Sequence, residues 1–347
     1  MHAIPGQELD IATTRRPSDS AGEPGAEPGP SRLDRAPALT ANTKRGGDLV
    51  FRLMAKGSGI LILVVMALIA AFLIFEAIPA VSADKSNFFS TLTWDPDGTV
   101  IFGIAALAFG SLLSSVLALI VGGTIAVGVA LFISQYAPRA IAKPLGYVVD
   151  LLAAVPSVVF GLWGLKFLVP ALEPFEKLLN RYLGWIPLFS STNQTYGQSV
   201  FAAAIVLAVM VLPIVAAISR EVFVQAPKEH IEGALALGAT KWEMIRMAVL
   251  PYGRSGMISA LVLGFGRAIG ETIAVALVLS ANFAISFHIL DPGGNTIAAN
   301  IANKWADAGG VGRGALIASG LILFAITLVI NFGARAIARR GAKKAAA

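Results

Sequence analysis

The sequence predicts an all-α integral membrane protein with six transmembrane helices, and three observations carry that prediction. Six apolar runs follow one another, each close to or above the roughly 20 residues needed to cross about 30 Å of hydrocarbon. The chain is 56% hydrophobic and only 14% charged, with a mean hydropathy of +0.74, whereas soluble domains carry roughly 25% charged residues. Lysine and arginine, finally, are shared unevenly between the loops on the two sides of these runs.

Residues 1–45 differ from all that follows. Nearly half of the positions from 17 to 40 are Pro, Gly or Ser, with scattered charges and no aromatic ring, so this segment reads as a disordered tail. It lacks the apolar stretch of a signal peptide, because the first hydrophobic run begins beyond residue 56. The expected spans are 57–80, 103–133, 146–170, 200–218, 255–281 and 314–334, the second long enough to tilt. Residues 46–100 hold the first helix and an external loop, residues 101–335 form the main transmembrane domain, and residues 336–347 are a basic tail.

With the amino terminus inside, the cytoplasmic segments carry Lys44, Arg45, Arg52 and Lys56, the loop residues Arg139 and Lys143, a basic 219–254 loop, and the terminal cluster from Arg335 to Lys344. The outside segments hold only Lys85, Lys177, Arg181, Lys304 and Arg313, which places both termini in the cytoplasm. The sequence pI of about 9.6 therefore reflects topology. The basic residues form no stripe on a polar domain, so lipid is the expected partner and nucleic acid is not.

The cytoplasmic loop reads SREVFVQAPKEHIEGALALGATKWEMIRMAVLPYGRSG from Ser219. Pro227 can open a helix, Gly238 with Ala239 and Thr240 breaks it, and a second short helix over 241–249 is expected to stop at Pro251. The fifth run contains GRAIGETIAV from Gly266, in which Arg267 and Glu271 stand mid-span, where each costs about 2.5 to 3.5 kcal/mol. Four residues apart, they share a helix face. They are either a self-paired structural bridge or an oxyanion station, with Arg267 attracting the anion and Glu271 as its counter-ion. Gly266 and Gly270 form G-x-x-x-G, a spacing for close helix packing. Glu76, Lys166 and Asp150 lie near span ends and can reach the interface. Pro156 and Pro213 suggest kinks.

No G-x-x-x-x-G-K-[ST], H-E-x-x-H or G-x-S-x-G sequence is present, there is no cysteine, and His2, His230 and His288 lie far from one another. A catalytic role, a metal site and direct ATP binding are therefore not expected.

The loop resembles a family. Glu232, Ala234, Gly238, Leu250 and Pro251 match the EAA loop of ABC importer permeases, with Gly233 where alanine is usual and Ala248 where isoleucine is common. EGALALGATKWE and GRAIGETIAV are similar to the phosphate importer permeases, the PstC-type subunit more than the PstA-type, over residues 100–335. The resemblance implies a type I permease fold in the cytoplasmic membrane of a bacterium, working by alternating access and not itself an enzyme. It implies that Glu232, Ala234, Gly238, Leu250 and Pro251 couple to an ATPase and that Arg267 and Glu271 line the pathway. A PstA-type permease, two PstB-type ATPases that use the ATP and an external PstS-type phosphate-binding protein are the partners it implies. A permease for sulfate or molybdate, or a secondary transporter or channel, is the alternative.

Overall fold

The computed structural model describes the backbone of residues 46–192 and 195–345 and the side chains of residues 49–192 and 195–336. The expected disordered tail, residues 1–45, lies outside the described residues. The chain divides into two compact units at Leu61. The described part of the first, residues 46–61, is helical, and its side chains from residue 49 onward are exposed.

The first helix is α1 (Gly46–Ala83). From residue 62 onward its apolar side chains are mostly exposed, as suits a helix solvated by lipid, and only Ala77 and Ala80 near its end enter a core with Phe102, Leu107 and Ala315. A two-stranded ribbon follows, β1 (Trp94–Asp95) against β2 (Ile101–Phe102), paired Trp94 to Phe102.

The second span is α2 (Ala105–Ala118), a π-turn at Leu119–Gly123, α3 (Thr124–Leu131) and a π-turn at Phe132–Tyr136. Next comes α4 (Arg139–Ala153), after which Pro156 in an extended conformation stops the helix and starts α5 (Ser157–Trp163). Through a π-turn at Gly164–Leu168 the chain continues into α6 (Val169–Leu183). The third span expected over 146–170 is therefore Ser157–Leu183, and part of the presumed external loop is its last helix.

Helix α7 (Val200–Val224) is the centre of the bundle, with 61% of its most apolar window buried. Its start is fixed by Ser199, whose Oγ accepts from the Ala202 N–H at 3.1 Å and donates to the buried Glu176 carboxylate at 2.8 Å. The run of Ala202, Ala203, Ala204 and Ala208 keeps this helix thin enough for several neighbours. Pro213 sits inside α7 without ending it.

Beyond α7 lie α8 (Lys228–Ala236) and α9 (Lys241–Met244), a π-turn at Ile245–Val249, α10 (Leu250–Ile269), α11 (Ile273–Val278), α12 (Ile297–Lys304) and α13 (Gly310–Ala345). Pro251 does not stop the helix before it. The π-turn already diverts the regular bonding there, so the missing proline N–H, in the first turn of α10, costs little. The fifth span is thus Lys241–Ile269 and ends earlier than the expected residue 281. Residues 336–345, expected as a tail, continue α13 as helix.

Helix α10 meets α7 at Gly264, where a Cβ would stand 2.6 Å from Val215 Cγ2 and 2.7 Å from Val211 Cγ1. Gly264→Val should overpack this crossing and lower stability by about 1 to 3 kcal/mol. Gly128→Ala, where a Cβ meets nothing within 4 Å, should cost nothing. Thermal unfolding of the purified protein in detergent compares the two.

Candidate functional site

Two regions stand out, a cleft in the middle of the bundle and an exposed knob at one end. Gly264 faces the middle of α7, so Arg267, one turn further along α10, lies near the midplane. At Gly270 the helix stops with φ −90° and ψ 0°, and Glu271 and Thr272 form a break before α11. Arg267 is exposed and Glu271 is only 8% exposed. Together with Ile214, Val262, Leu263 and Asn331 they line a cleft of about 520 Å³.

The break corrects the expectation of two side chains stacked on one helix. Among the described residues no ion pair joins Arg267 and Glu271. Leaving the helix at Gly270 turns Glu271 inward, where its Oε1 accepts from the Ala274 N–H at 3.3 Å in the first turn of α11. Thr272 Oγ1 donates to the Gly270 carbonyl at 3.2 Å. The Arg267 guanidinium is therefore presented to the cleft without that internal counter-ion.

Among the described residues, no other helix stands within 4 Å of a Cβ placed on Gly266 or Gly270. They border the cleft, and a Cβ on Gly266 would meet nothing within 4 Å. Other glycines make the close contacts: Gly161 stands against Ala274 of α11, and Gly122 against the backbone of Ala208. Asp150 is paired with Arg220 at 3.4 Å, which ties α4 to the α8 end of α7. Glu76 and Lys166 are exposed.

The knob is built from α8 and α9. Leu237 closes α8, Gly238 takes φ +83°, which a side chain rarely adopts, and Thr240 opens α9 with a capping box. Thr240 Oγ1 accepts from the Glu243 N–H at 3.3 Å and the Glu243 carboxylate accepts from the Thr240 N–H at 2.8 Å. Ala234 and Leu250 pack onto a core of Phe223, Met244, Ile245 and Val249, which seats the knob on the spans. Glu232 and Gly238 are exposed. Lys241 Nζ lies 4.8 Å from the Tyr136 ring, bracing α9 against the end of the second span.

Sequence reasoning missed Leu237, which is 91% exposed at the tip of the knob, and Trp242, 56% exposed beside it. It also missed Asn331. That residue was legible as the lone amide in the apolar run of α13, whereas Leu237 looked like an ordinary core residue.

At the opposite end the loops are stitched together. Ser191 Oγ donates to Asp291 at 2.7 Å, Ser190 Oγ meets His288 Nδ1 at 2.6 Å, and Asp97 accepts from the Gly309 and Gly312 N–H groups at 2.8 Å each.

Residues 122–343 match the family model described as "Binding-protein-dependent transport system inner membrane component". The chain is 46% identical over 321 residues to "Phosphate transport system permease protein PstC 2" of Mycobacterium bovis, covering 91% of this chain and 97% of that protein. It is 35% identical to "Phosphate transport system permease protein PstC" of Xylella fastidiosa, covering 86% and 92%. Among solved structures, a chain of a bacterial alginate ABC transporter in complex with a pentasaccharide-bound periplasmic protein shares the fold at a TM-score of 0.58 and 18% identity, covering 85% of this chain and 98% of that one.

Replacing Thr240 by alanine should remove about 1 kcal/mol of capping from the knob. Amide hydrogen exchange at Glu243 and Met244 should accelerate accordingly, while the α7 amides stay protected.

Proposed function

The chain belongs to the family of binding-protein-dependent transport system inner membrane components, and from that premise we propose that it is a permease subunit of an ATP-driven phosphate importer. The observation that carries the substrate is the 46% identity, over 91% of the chain, to a phosphate transport permease. As a multi-pass membrane protein with a one-sided cleft, it forms half of a pathway, and a second permease of PstA type completes it. Two PstB-type ATPases supply the energy by hydrolysing ATP, the chain itself binding no cofactor, and an external PstS-type protein delivers phosphate. It is a non-catalytic subunit.

The α8 end faces the cytoplasm in this reading. Arg139, Lys143, Arg220, Lys228, Lys241, Arg246 and Arg254 gather at that end, as the positive-inside rule requires. Both termini are then cytoplasmic, and the stitched loops at the opposite end receive the binding protein.

Arg267 offers planar donors that match phosphate oxygens and keeps its charge when desolvated. Glu271, buried on the wall of the same cleft, repels the anion and so keeps its binding weak enough for transit. The knob docks in a groove of the ATPase through Leu237 and Glu232, with Gly238 shaping the turn, Ala234 and Leu250 holding it to the spans and Pro251 in the first turn of α10 behind it.

The complete transporter in proteoliposomes tests both halves. Arg267→Gln should cut ATP-dependent phosphate uptake at least about tenfold, the worth of a hydrogen bond to a charged group, with assembly intact; unchanged uptake would refute the pathway role. Excess sulfate should not compete. Leu237→Asp should lower uptake while leaving the amount of this chain in the membrane unchanged, and the ATPase should no longer co-purify.

A further inference from the structure

Below the Arg267 cleft, toward the α8 end, lies a second cavity of about 300 Å³ between α10 and α13. It shares Val262, Leu263 and Asn331 with the first, so the two adjoin. Ser259 and Arg335 add polar groups to its wall, and among the described residues that line it there is no acid. Ser259 precedes Arg267 by eight residues, which is about 12 Å of helix. Arg335 follows Asn331 by four, on the same face of an antiparallel helix, about 6 Å further in the same direction.

We propose that Asn331 and Arg335 form a second oxyanion station, which takes phosphate from Arg267 and releases it toward the α8 end. The proposal rests on the importer reading above. Its chemistry follows from the two cavities: the upper joins an arginine to a buried carboxylate, while the lower offers an arginine, an amide and a hydroxyl without an acid. An anion leaving the carboxylate gains a cation ahead of it, and Asn331, on the wall of both cavities, can donate to it on either side of the step. The Arg335 side chain lies open, so its attraction is screened and release is easy.

The shared ligand chemistry is a phosphate group, which free phosphate or a lipid headgroup could supply. Because the chain has no cysteine, Ala334→Cys on the cavity wall is a clean reporter in the assembled transporter. Labelling of this chain by an anionic methanethiosulfonate should outpace a cationic one by about tenfold, the scale of electrostatic focusing in a cleft. Arg335→Gln should abolish that preference, and millimolar inorganic phosphate in lipid-free detergent should slow the labelling. A preference indifferent to Arg335→Gln overturns the station. So does protection seen only in phosphatidylglycerol nanodiscs and never with inorganic phosphate, which would assign the site to a headgroup.

In uptake assays Arg335→Gln should lower the maximal rate about tenfold, on the same electrostatic scale, without changing the KM for loaded binding protein; Arg335→Lys should restore part of the rate. Normal uptake in Arg335→Gln beside a dead Arg267→Gln rejects this station alone. Normal uptake in both removes the pathway reading as well.

Discussion

A backbone that leaves its helix in the middle of a membrane must find partners for every freed group within the protein, because lipid offers none. The break from Gly270 to Thr272 meets this demand locally: the Glu271 N–H donates to the Ala268 carbonyl at 3.2 Å, the Ala274 N–H to the Glu271 carboxylate, and the Thr272 hydroxyl to the Gly270 carbonyl. It also demands cover. Helix α11 gives that by packing Ala274, Val275 and Val278 into the same core as Ala202, Ala203 and Val206 of α7. The alanine-rich face of α7 and Gly161 of α5 allow the approach. The cleft exists because α10 ends where it does, and Arg267 sits on its wall because it lies in the last turn before the end.

That same break explains what was legible beforehand. Mean hydropathy over a window sees composition, so the spans around 103–133, 200–218 and 314–334 emerged from the sequence near their observed places. It cannot see a turn held by tertiary contacts, and the run 255–281 therefore looked like one helix. Pro156 moved the third span for a related reason, since its effect on the preceding residue outweighed the apolar character of 146–155. The π-turns at 119–123, 132–136, 164–168 and 245–249 leave no distinct period in the sequence, and the one before Pro251 turned an expected stop into a continuous helix.

For the site, residues that carry charge were readable and residues that depend on position were not. Arg267 and Glu271 announced themselves as ions in an apolar run, yet their relation to each other changed once Gly270 took Glu271 off the shared face. Gly266 and Gly270 illustrate the opposite case: the G-x-x-x-G spacing is common to packed interfaces, but only the end of α10 reveals that these two border open space within the chain. Leu237 could not be told from a core leucine until Gly238, at φ +83°, placed it on a turn tip.

The knob and the cleft are joined by one rod. From Lys241 to Ile269 the chain is helical without interruption, 29 residues or about 43 Å, with Arg267 near one end and the knob at the other. The π-turn inside this run is seated by Ile245, Ala248 and Val249, which are buried in the bundle. The knob and the cleft are thus coupled through one helix, and its crossing with α7 at Gly264, where a Cβ would stand 2.6 Å from Val215 and 2.7 Å from Val211, ties that helix to the centre of the bundle between them.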